Sequence, residues 1–133
     1  MTDLEYLNSK VLTTLKVSDN GIGVYAIKDI KKGEFLQNKH NLFLTVTREE
    51  FNTLSKDIKD IILDRNVFSK QDVDFTFYNP NSSFDLQSFI NHANSPNSNG
   101  IIALRDILKD EEITEDYNDP DIDKVSKEHY HFL

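Results

Sequence analysis

The segment FINHANSPNSNG, residues 89–100, places a histidine between asparagines directly after two apolar residues. Asparagine, serine, proline and glycine favour turns, so composition alone predicts a surface loop. An Asn-His pair at the end of a strand also supplies amide and imidazole groups that can hydrogen-bond a ligand. No second histidine lies near His92 at a zinc-ligand spacing, so we predict no metal site. Considered alone, His92 is more typical of a structural histidine than of a ligand or a base.

A second candidate is the tripeptide Gly21-Ile22-Gly23, at the end of the turn-forming cluster SDNGIG. Two glycines around one residue allow a backbone to approach a ligand closely. The tripeptide lacks the third glycine of a dinucleotide-binding fingerprint. By itself it therefore predicts a plain hairpin turn.

The third candidate is EEITEDY, residues 111–117, where Tyr117 closes a predicted strand. A tyrosine at that position most often serves packing. The acidic run that follows, DPDID, lacks the central glycine and the final glutamate of a calcium loop, so we reject calcium binding. His129 and His131 are interpreted as solvated, so no metal is predicted there either.

Composition limits the class of protein. A chain of 133 residues with nine Phe and five Tyr predicts one domain with a modest core. No run of about 18 apolar residues is present, so no membrane span or membrane partner is expected. The polar start MTDLEYLNSK has no apolar signal core, and the sequence has no cysteine for disulfides, thiolate chemistry or zinc. We therefore expect an intracellular protein, cytoplasmic or nuclear.

The net charge of −8 narrows the choice of partner. Such a surface repels phosphate backbones, so nucleic acid is not expected as a direct partner. A basic partner, such as a lysine-rich peptide, would be attracted instead.

Most of the segments that carry these residues are predicted strands. Alternating or β-branched stretches predict strands at 11–17, 24–30 and 73–79, one or two more within 34–46, and strand-like segments at GIIALRDI and EEITEDY. Between them, residues 47–65 carry apolar side chains on one helical face, behind a capping box of Thr47 and Glu50. The prediction is a mainly β domain with one inserted helix of about four turns.

An internal near-repeat joins two of the predicted strand ends. AIKDIKKGE, residues 26–34, and ALRDILKDE, residues 103–111, share the order Ala, aliphatic, basic, Asp, Ile, x, Lys, x, Glu. Two copies are too few for a solenoid, so we interpret them as two equivalent β-turn units.

The order of these motifs resembles the SET-domain family of protein lysine methyltransferases. The matching stretches are GIGVYAIKDIKKGEFL, FINHANSPN and LRDILKDEEITEDY, which together span residues 21–117. The resemblance implies a single SET domain over 1–133, with its core at 11–117, a variable helical insert at about 47–65 and a tail at 118–133. It also implies the β-clip fold, in which small curved sheets end in a C-terminal pseudoknot threaded by the NHxxxPN segment. In size the chain is similar to minimal viral and bacterial members.

The resemblance implies S-adenosylmethionine as cofactor. Its methionine part would lie on the backbone around Ile22 and Gly23, and Asn91 and His92 would hold the adenine. The cofactor-binding set that it implies is Gly21, Ile22, Gly23, Asn91, His92 and Tyr117. In this interpretation His92 is a cofactor and structural residue, not a base.

The implied reaction moves a methyl group to a lysine side chain of a histone or another basic protein. Tyr117 matches the catalytic tyrosine of the family, and its expected role is positioning and electrostatic support, because an unperturbed phenol ionises near pH 10. Aromatic side chains should line the lysine channel. The candidates are Tyr78, Phe77, Tyr130 and Phe132.

The sequence also departs from the family pattern. Ala93 and Asn94 stand where Ser-Cys is common, Ser88 where arginine is common, Asp110 at a usual glycine and Glu115 at a usual aromatic. The cysteine-rich segment that often follows the domain is not found. Two alternatives stay open: a non-catalytic module that binds cofactor or a basic peptide, and a purely structural β-domain. The small size of the domain is also compatible with a homodimer.

Overall fold

The computed structural model describes residues 1–19, 21–70, 74–82 and 84–118. The α-helices are α1 (Asp3–Lys10), α2 (Arg48–Asn52) and α3 (Lys56–Ile61), followed by a π-helical turn at Ile62–Asn66, and a 3-10 turn covers Leu86–Phe89. The strands are β1 (Thr13–Ser18), β2 (Gly21–Ala26), β3 (Phe43–Thr47), β4 (Val67–Lys70), β5 (Asp74–Tyr78), β6 (Asn91–His92) and β7 (Glu112–Glu115). In these ranges no helix has both the length and the apolar character needed to cross a membrane.

The strands form two small sheets. One has the order β1-β2-β7-β6 and the other has the order β3-β5-β4. β1 and β2 form an antiparallel hairpin, and β6 runs parallel to β7. The mainly β fold predicted from the sequence is confirmed. The threading of the NHxxxPN segment through a loop stays a prediction.

Each sheet has its own apolar core. The first core lies between β3, β5 and the three helices, and it includes Leu7, Leu44 and Phe77. The second core lies under β2 and β7, and it includes Val24, Ile90 and Ile113. The second core supports the strands that carry the three motifs.

The N-terminal helix α1 was not among the predicted elements. Thr2 and Glu5 cap its N-terminus with a complete capping box, which is visible in the sequence as Thr-Asp-Leu-Glu. The helix is short, but it buries Tyr6 and Leu7. Tertiary burial therefore stabilises a helix that its length alone would leave marginal.

The predicted single helix at 47–65 is wrong in its continuity. The capping box of Thr47 and Glu50 is present, but the first helix ends at Thr53, whose hydroxyl donates to the Glu50 carbonyl at 2.6 Å. Ser55 then caps α3 by accepting from the Ile58 N–H at 3.3 Å. These hydroxyls compete with the helical backbone bonds and divide the segment. Its apolar face is nevertheless buried, as predicted from the spacing: Phe51, Leu54, Ile58, Ile61 and Ile62.

Several strand predictions also change. Gly21-Ile22-Gly23 lies at the start of β2, not in a turn. The segment GIIALRDI forms isolated bridges, including Phe35 to Ile102, instead of a continuous strand. β4 was not predicted. The region 34–46 contains one strand, β3, in agreement with the predicted one or two, and this strand extends to Thr47.

The near-repeat is confirmed as two equivalent units, and the units bind each other reciprocally. Ile30 and Ile107 exchange backbone hydrogen bonds of 2.7 and 2.8 Å. Each unit also contributes an aspartate that accepts a backbone N–H from the other unit, at 2.9 Å in both cases: Asp106 from Lys32 and Asp29 from Lys109. The repeated sequence therefore builds a local pseudo-twofold junction, which fixes the approach of β7 to β2.

Candidate functional site

The parallel pairing of β6 with β7 brings the NHxxxPN motif to the strand that leads to Tyr117. Asn91 is registered with Thr114, and His92 is registered with Glu115. Behind them, the buried Asn97 binds the β7 backbone on two sides. Its amide nitrogen donates to the Glu112 carbonyl at 2.8 Å, and its oxygen accepts from the Thr114 N–H at 2.9 Å. The second asparagine of the motif is therefore structural.

Tyr117 is held at both ends. Its backbone N–H donates to Nδ1 of His92 at 3.1 Å, and its hydroxyl donates to the carbonyl oxygen of the buried Ile90. The rings of His92 and Tyr117 lie with their centroids 5.3 Å apart. The motif on β6 therefore fixes the position of the tyrosine that follows β7.

The hydrogen bonds of His92 define its tautomer. Nδ1 accepts from a backbone N–H, so it carries no proton, and the ring proton must lie on Nε2. Nε2 then donates to Oδ1 of Asn94 at 3.0 Å. Asp116 lies 3.7 Å from Nδ1, but a neutral ring forms no ion pair with it. The lone pair of Nδ1 is therefore already used by the Tyr117 N–H, and the cofactor role of His92 stays a prediction.

Asn91 links the NHxxxPN motif to the Gly-x-Gly tripeptide. Its Nδ2 donates to the Ile22 carbonyl at 3.1 Å and to Oε2 of Glu112 at 2.8 Å. A carbonyl oxygen and a carboxylate are both acceptors, so the amide nitrogen must face them. Sequence reasoning missed Glu112, although it stands in the EEITEDY motif and its alternation with the buried Ile113 could have indicated an outward position.

Each glycine of the tripeptide has its own physical reason: the backbone conformation at Gly21 and the lack of space for a side chain at Gly23. Gly21 has φ +97°, a conformation that side chains disfavour. A Cβ at Gly23 would lie 2.5 Å from Oε2 of Glu112 and 3.1 Å from Nδ2 of Asn91. Ile22 between them is 49% exposed. β2 pairs with β7 only at Val24 and Tyr25, so residues 21–23 continue beyond that pairing.

Glu115 lies in the same site with its carboxyl against the backbone of Gly100. A Cβ at Gly100, where φ is +87°, would lie 2.4 Å from Oε2 of Glu115. The residue is 8% exposed, and desolvation raises the pKa of this carboxyl above its usual value. An ionisable side chain therefore occupies a buried position two residues before Tyr117.

The channel candidates lie in different places. Phe77 is 1% exposed in the first core, beside Leu44 and Leu7. Tyr78 follows it on β5 and packs against the ring of Phe43, at 4.8 Å between centroids. Tyr130 and Phe132 lie outside the described residues. The proposed channel role of these four residues stays a prediction.

One known protein family matches the chain over a range that contains the three motifs. The sequence pattern of the SET domain matches residues 21–118. This match covers most of the chain, and the protein therefore belongs to the SET-domain family. No curated protein sequence matches the chain.

Solved structures with similar backbones are of low sequence identity. A Plasmodium falciparum protein provisionally named a histone methyltransferase is 18% identical, with 83% of this chain and 96% of that chain covered and a TM-score of 0.40. The Neurospora SET-domain protein DIM-5, a histone lysine methyltransferase, is 22% identical, with 86% and 55% covered and a TM-score of 0.42. This chain thus spans just over half of the DIM-5 chain. The family assignment depends on the sequence match alone.

Proposed function

We propose that this protein is an S-adenosylmethionine-dependent protein lysine N-methyltransferase. One observation carries the proposal. The structure joins Gly21–Gly23, Asn91-His92 and Tyr117, which are distant in sequence, through direct hydrogen bonds at one end of the β1-β2-β7-β6 sheet. These are the residues that the family resemblance assigns to cofactor binding and methyl transfer.

The residues around Gly23 fit the proposed cofactor. Because residue 23 has no side chain, Glu112 and Asn91 pack directly over its backbone and supply polar groups beside it. Glu112 borders this region, and a carboxylate favours a cationic ligand. When bound, S-adenosylmethionine supplies an electrophilic methyl group on a positively charged sulfonium.

The hydrogen bond of Tyr117 defines what its hydroxyl can do. The hydroxyl donates its proton to the Ile90 carbonyl, so the lone pairs of the oxygen point elsewhere. A phenolate would set a negative oxygen against that carbonyl dipole. Tyr117 therefore acts as a neutral, oriented dipole that stabilises positive charge on the transferring methyl group, and not as a base.

The substrate class follows from charge and from the reaction. The lysine amine must be neutral to accept the methyl group, and desolvation in an apolar channel favours the neutral form. A net charge of −8 attracts lysine-rich segments towards the protein. We therefore propose a basic protein or peptide as the substrate.

A transfer assay tests this proposal. The protein is incubated with methyl-labelled S-adenosylmethionine and with histones, ribosomal proteins and a cell lysate, and label on lysine is quantified by mass spectrometry. The proposal predicts label on lysine in at least one basic protein. Absence of label from all three sources, with a correctly folded protein, would contradict it.

A second candidate function is a non-catalytic module that binds the cofactor or a basic peptide. It is favoured by Glu115, because a buried carboxyl occupies a position two residues before Tyr117. The same assay separates the two functions when calorimetry is added. Cofactor binding without any transfer would support the module.

A further inference from the structure

We infer that Glu112 is a positioning residue of the cofactor site, which acts by fixing the carboxamide of Asn91 against the Gly-x-Gly strand. The inference rests on the proposed cofactor binding. It adds a residue to the site that neither the motif positions nor the family resemblance assigned.

The hydrogen bonds place Glu112 at the junction of three strands. Glu112 is on β7, opposite Tyr25 of β2, and its Oε2 accepts from Nδ2 of Asn91 on β6 at 2.8 Å. The second proton of the same Nδ2 goes to the carbonyl of Ile22 at 3.1 Å. One carboxylate thus orients the single side chain that connects β6 with residues 21–23.

This arrangement selects which atom of Asn91 faces a ligand. Glu112 and Ile22 take both amide protons, so Oδ1 is left as the ligand-facing group. Oδ1 is an acceptor, and it suits a ligand that carries N–H or O–H donors. Without Glu112 the carboxamide could rotate and present either atom, so a bound ligand would have to order it at a cost in affinity.

Close packing supports the same role. Oε2 of Glu112 lies 2.5 Å from the position that a Cβ of residue 23 would occupy. The carboxylate therefore covers the backbone of Gly23, and the absence of a side chain there is what allows Glu112 to reach Asn91. Within the described ranges Glu112 forms no ion pair, so its charge is available to the amide and to a cationic ligand.

A double-mutant cycle tests the inference, with S-adenosylhomocysteine as the probe and calorimetry as the measurement. We expect Glu112→Ala to weaken binding about tenfold, the usual effect of losing a hydrogen bond to a charged group. Glu112→Gln should stay within about threefold of the wild type, since Oε1 of glutamine can accept from Asn91. In the Asn91→Ala background, Glu112→Ala should cause no further loss.

Three calorimetric results would each overturn the inference: equal binding by Glu112→Ala and the wild type, a glutamine variant as weak as the alanine variant, or losses at the two positions that multiply. Glu49→Ala, which removes an exposed carboxylate from α2, is the matched control and should bind like the wild type. Thermal unfolding of every variant verifies folding, and Glu112→Gln keeps the cycle usable if the alanine variant does not fold.

A readout without cofactor separates this inference from the proposed function. In the NMR spectrum of the unliganded protein, the side-chain amide protons of Asn91 should be well dispersed, and Glu112→Ala should collapse them towards solvent-exposed values. No change in these resonances would overturn the positioning role. If the resonances collapse as expected but the wild type binds no S-adenosylhomocysteine, the proposed function fails and the contact between Glu112 and Asn91 stands.

Discussion

His92 and Tyr117 behave as one unit at the scale of single residues. The imidazole accepts the backbone N–H of Tyr117 on one side and donates to Asn94 on the other. The phenol is then fixed at its far end by the Ile90 carbonyl. The hydrogen bonds of His92 thus explain it as a residue that holds Tyr117 in position.

Substitution of His92 should affect turnover through the position of Tyr117. His92→Ala removes the acceptor for the Tyr117 N–H, and we expect kcat to fall about tenfold or more, because small misplacements of a reacting group are costly. His92→Asn should recover part of the activity, since Oδ1 of asparagine can occupy the place of Nδ1. The check is steady-state kinetics of both variants. Equal activity of the alanine and asparagine variants would contradict the positioning role.

Glu115 gives the stability a pH dependence with a defined sign. Burial raises the pKa of its carboxyl in the folded protein above the ordinary value of 4.5. The folded state therefore binds this proton more tightly than the unfolded chain does. The stability that results is fully present below the unfolded pKa and is lost as pH rises through the raised folded pKa.

Glu115→Gln removes that dependence, because glutamine does not ionise. We expect the variant and the wild type to have similar free energies of unfolding near pH 4. As pH rises, the wild type should lose the stability that depends on Glu115, so the variant should become increasingly more stable than the wild type. Urea unfolding between about pH 4 and pH 8 measures the difference. A difference that stays constant with pH would show that the Glu115 carboxyl is not desolvated in the folded protein.

The reciprocal turn units are the feature that matters most at the scale of elements. Gly33 and Asp110 occupy equivalent positions in them, with φ of +90° and +74°. Each residue donates its backbone N–H to the alanine that begins the other unit, at 2.8 Å in both cases: Gly33 to Ala103 and Asp110 to Ala26. The same backbone conformation is therefore adopted once by glycine and once by a residue with a Cβ.

This equivalence predicts opposite effects of substitution. Gly33→Ala should destabilise the fold by about 1–2 kcal/mol, because a Cβ disfavours this conformation although the surrounding space is open. Asp110→Gly should stabilise it by up to about 1 kcal/mol, since the ion pair with Lys16 at 3.9 Å is exposed and worth little. Chemical denaturation measures both. Effects of the same sign would contradict the equivalence of the two turns.

Periodicity and capping residues correctly predicted those elements whose signal lies within their own stretch of sequence. The alternation in residues 73–79 gave β5, and the apolar spacing in 47–65 gave the correct buried face. The break between α2 and α3 depends on the hydroxyls of Thr53 and Ser55, which compete locally with helical bonds. α1 depends on burial of Tyr6 and Leu7 against distant strands, and that information is not local.

The motif order predicted which residues form the candidate site, but it did not predict the contacts between them. The motif order indicated Gly21, Asn91, His92 and Tyr117 because those positions match a family pattern. The role of Glu112 could not be obtained in this way, since it follows from the meeting of β2, β6 and β7 in space. The role of Asn97 could not be obtained either, because Asn97 is hydrogen-bonded to the backbone of β7, which comes later in the sequence.

The whole molecule combines a stable framework with a site at one sheet. The first core is built from β3, β5 and the helices, whereas the second core lies beneath the strands that carry the site. Substitutions in the first core should therefore act on overall stability, and those around Asn91 and Tyr117 should act on binding and turnover. The net charge of −8 would attract the basic substrate proposed above.

The central claim is that Tyr117 supports methyl transfer to lysine, and the Tyr117→Phe variant tests it most directly. Calorimetry with S-adenosylhomocysteine and a single-turnover transfer assay are carried out on the wild type and the variant together. We predict cofactor binding within about threefold of the wild type and transfer reduced by about a hundredfold or more, as for loss of an oriented dipole at a reacting centre. Transfer at the wild-type rate by the phenylalanine variant would contradict the account.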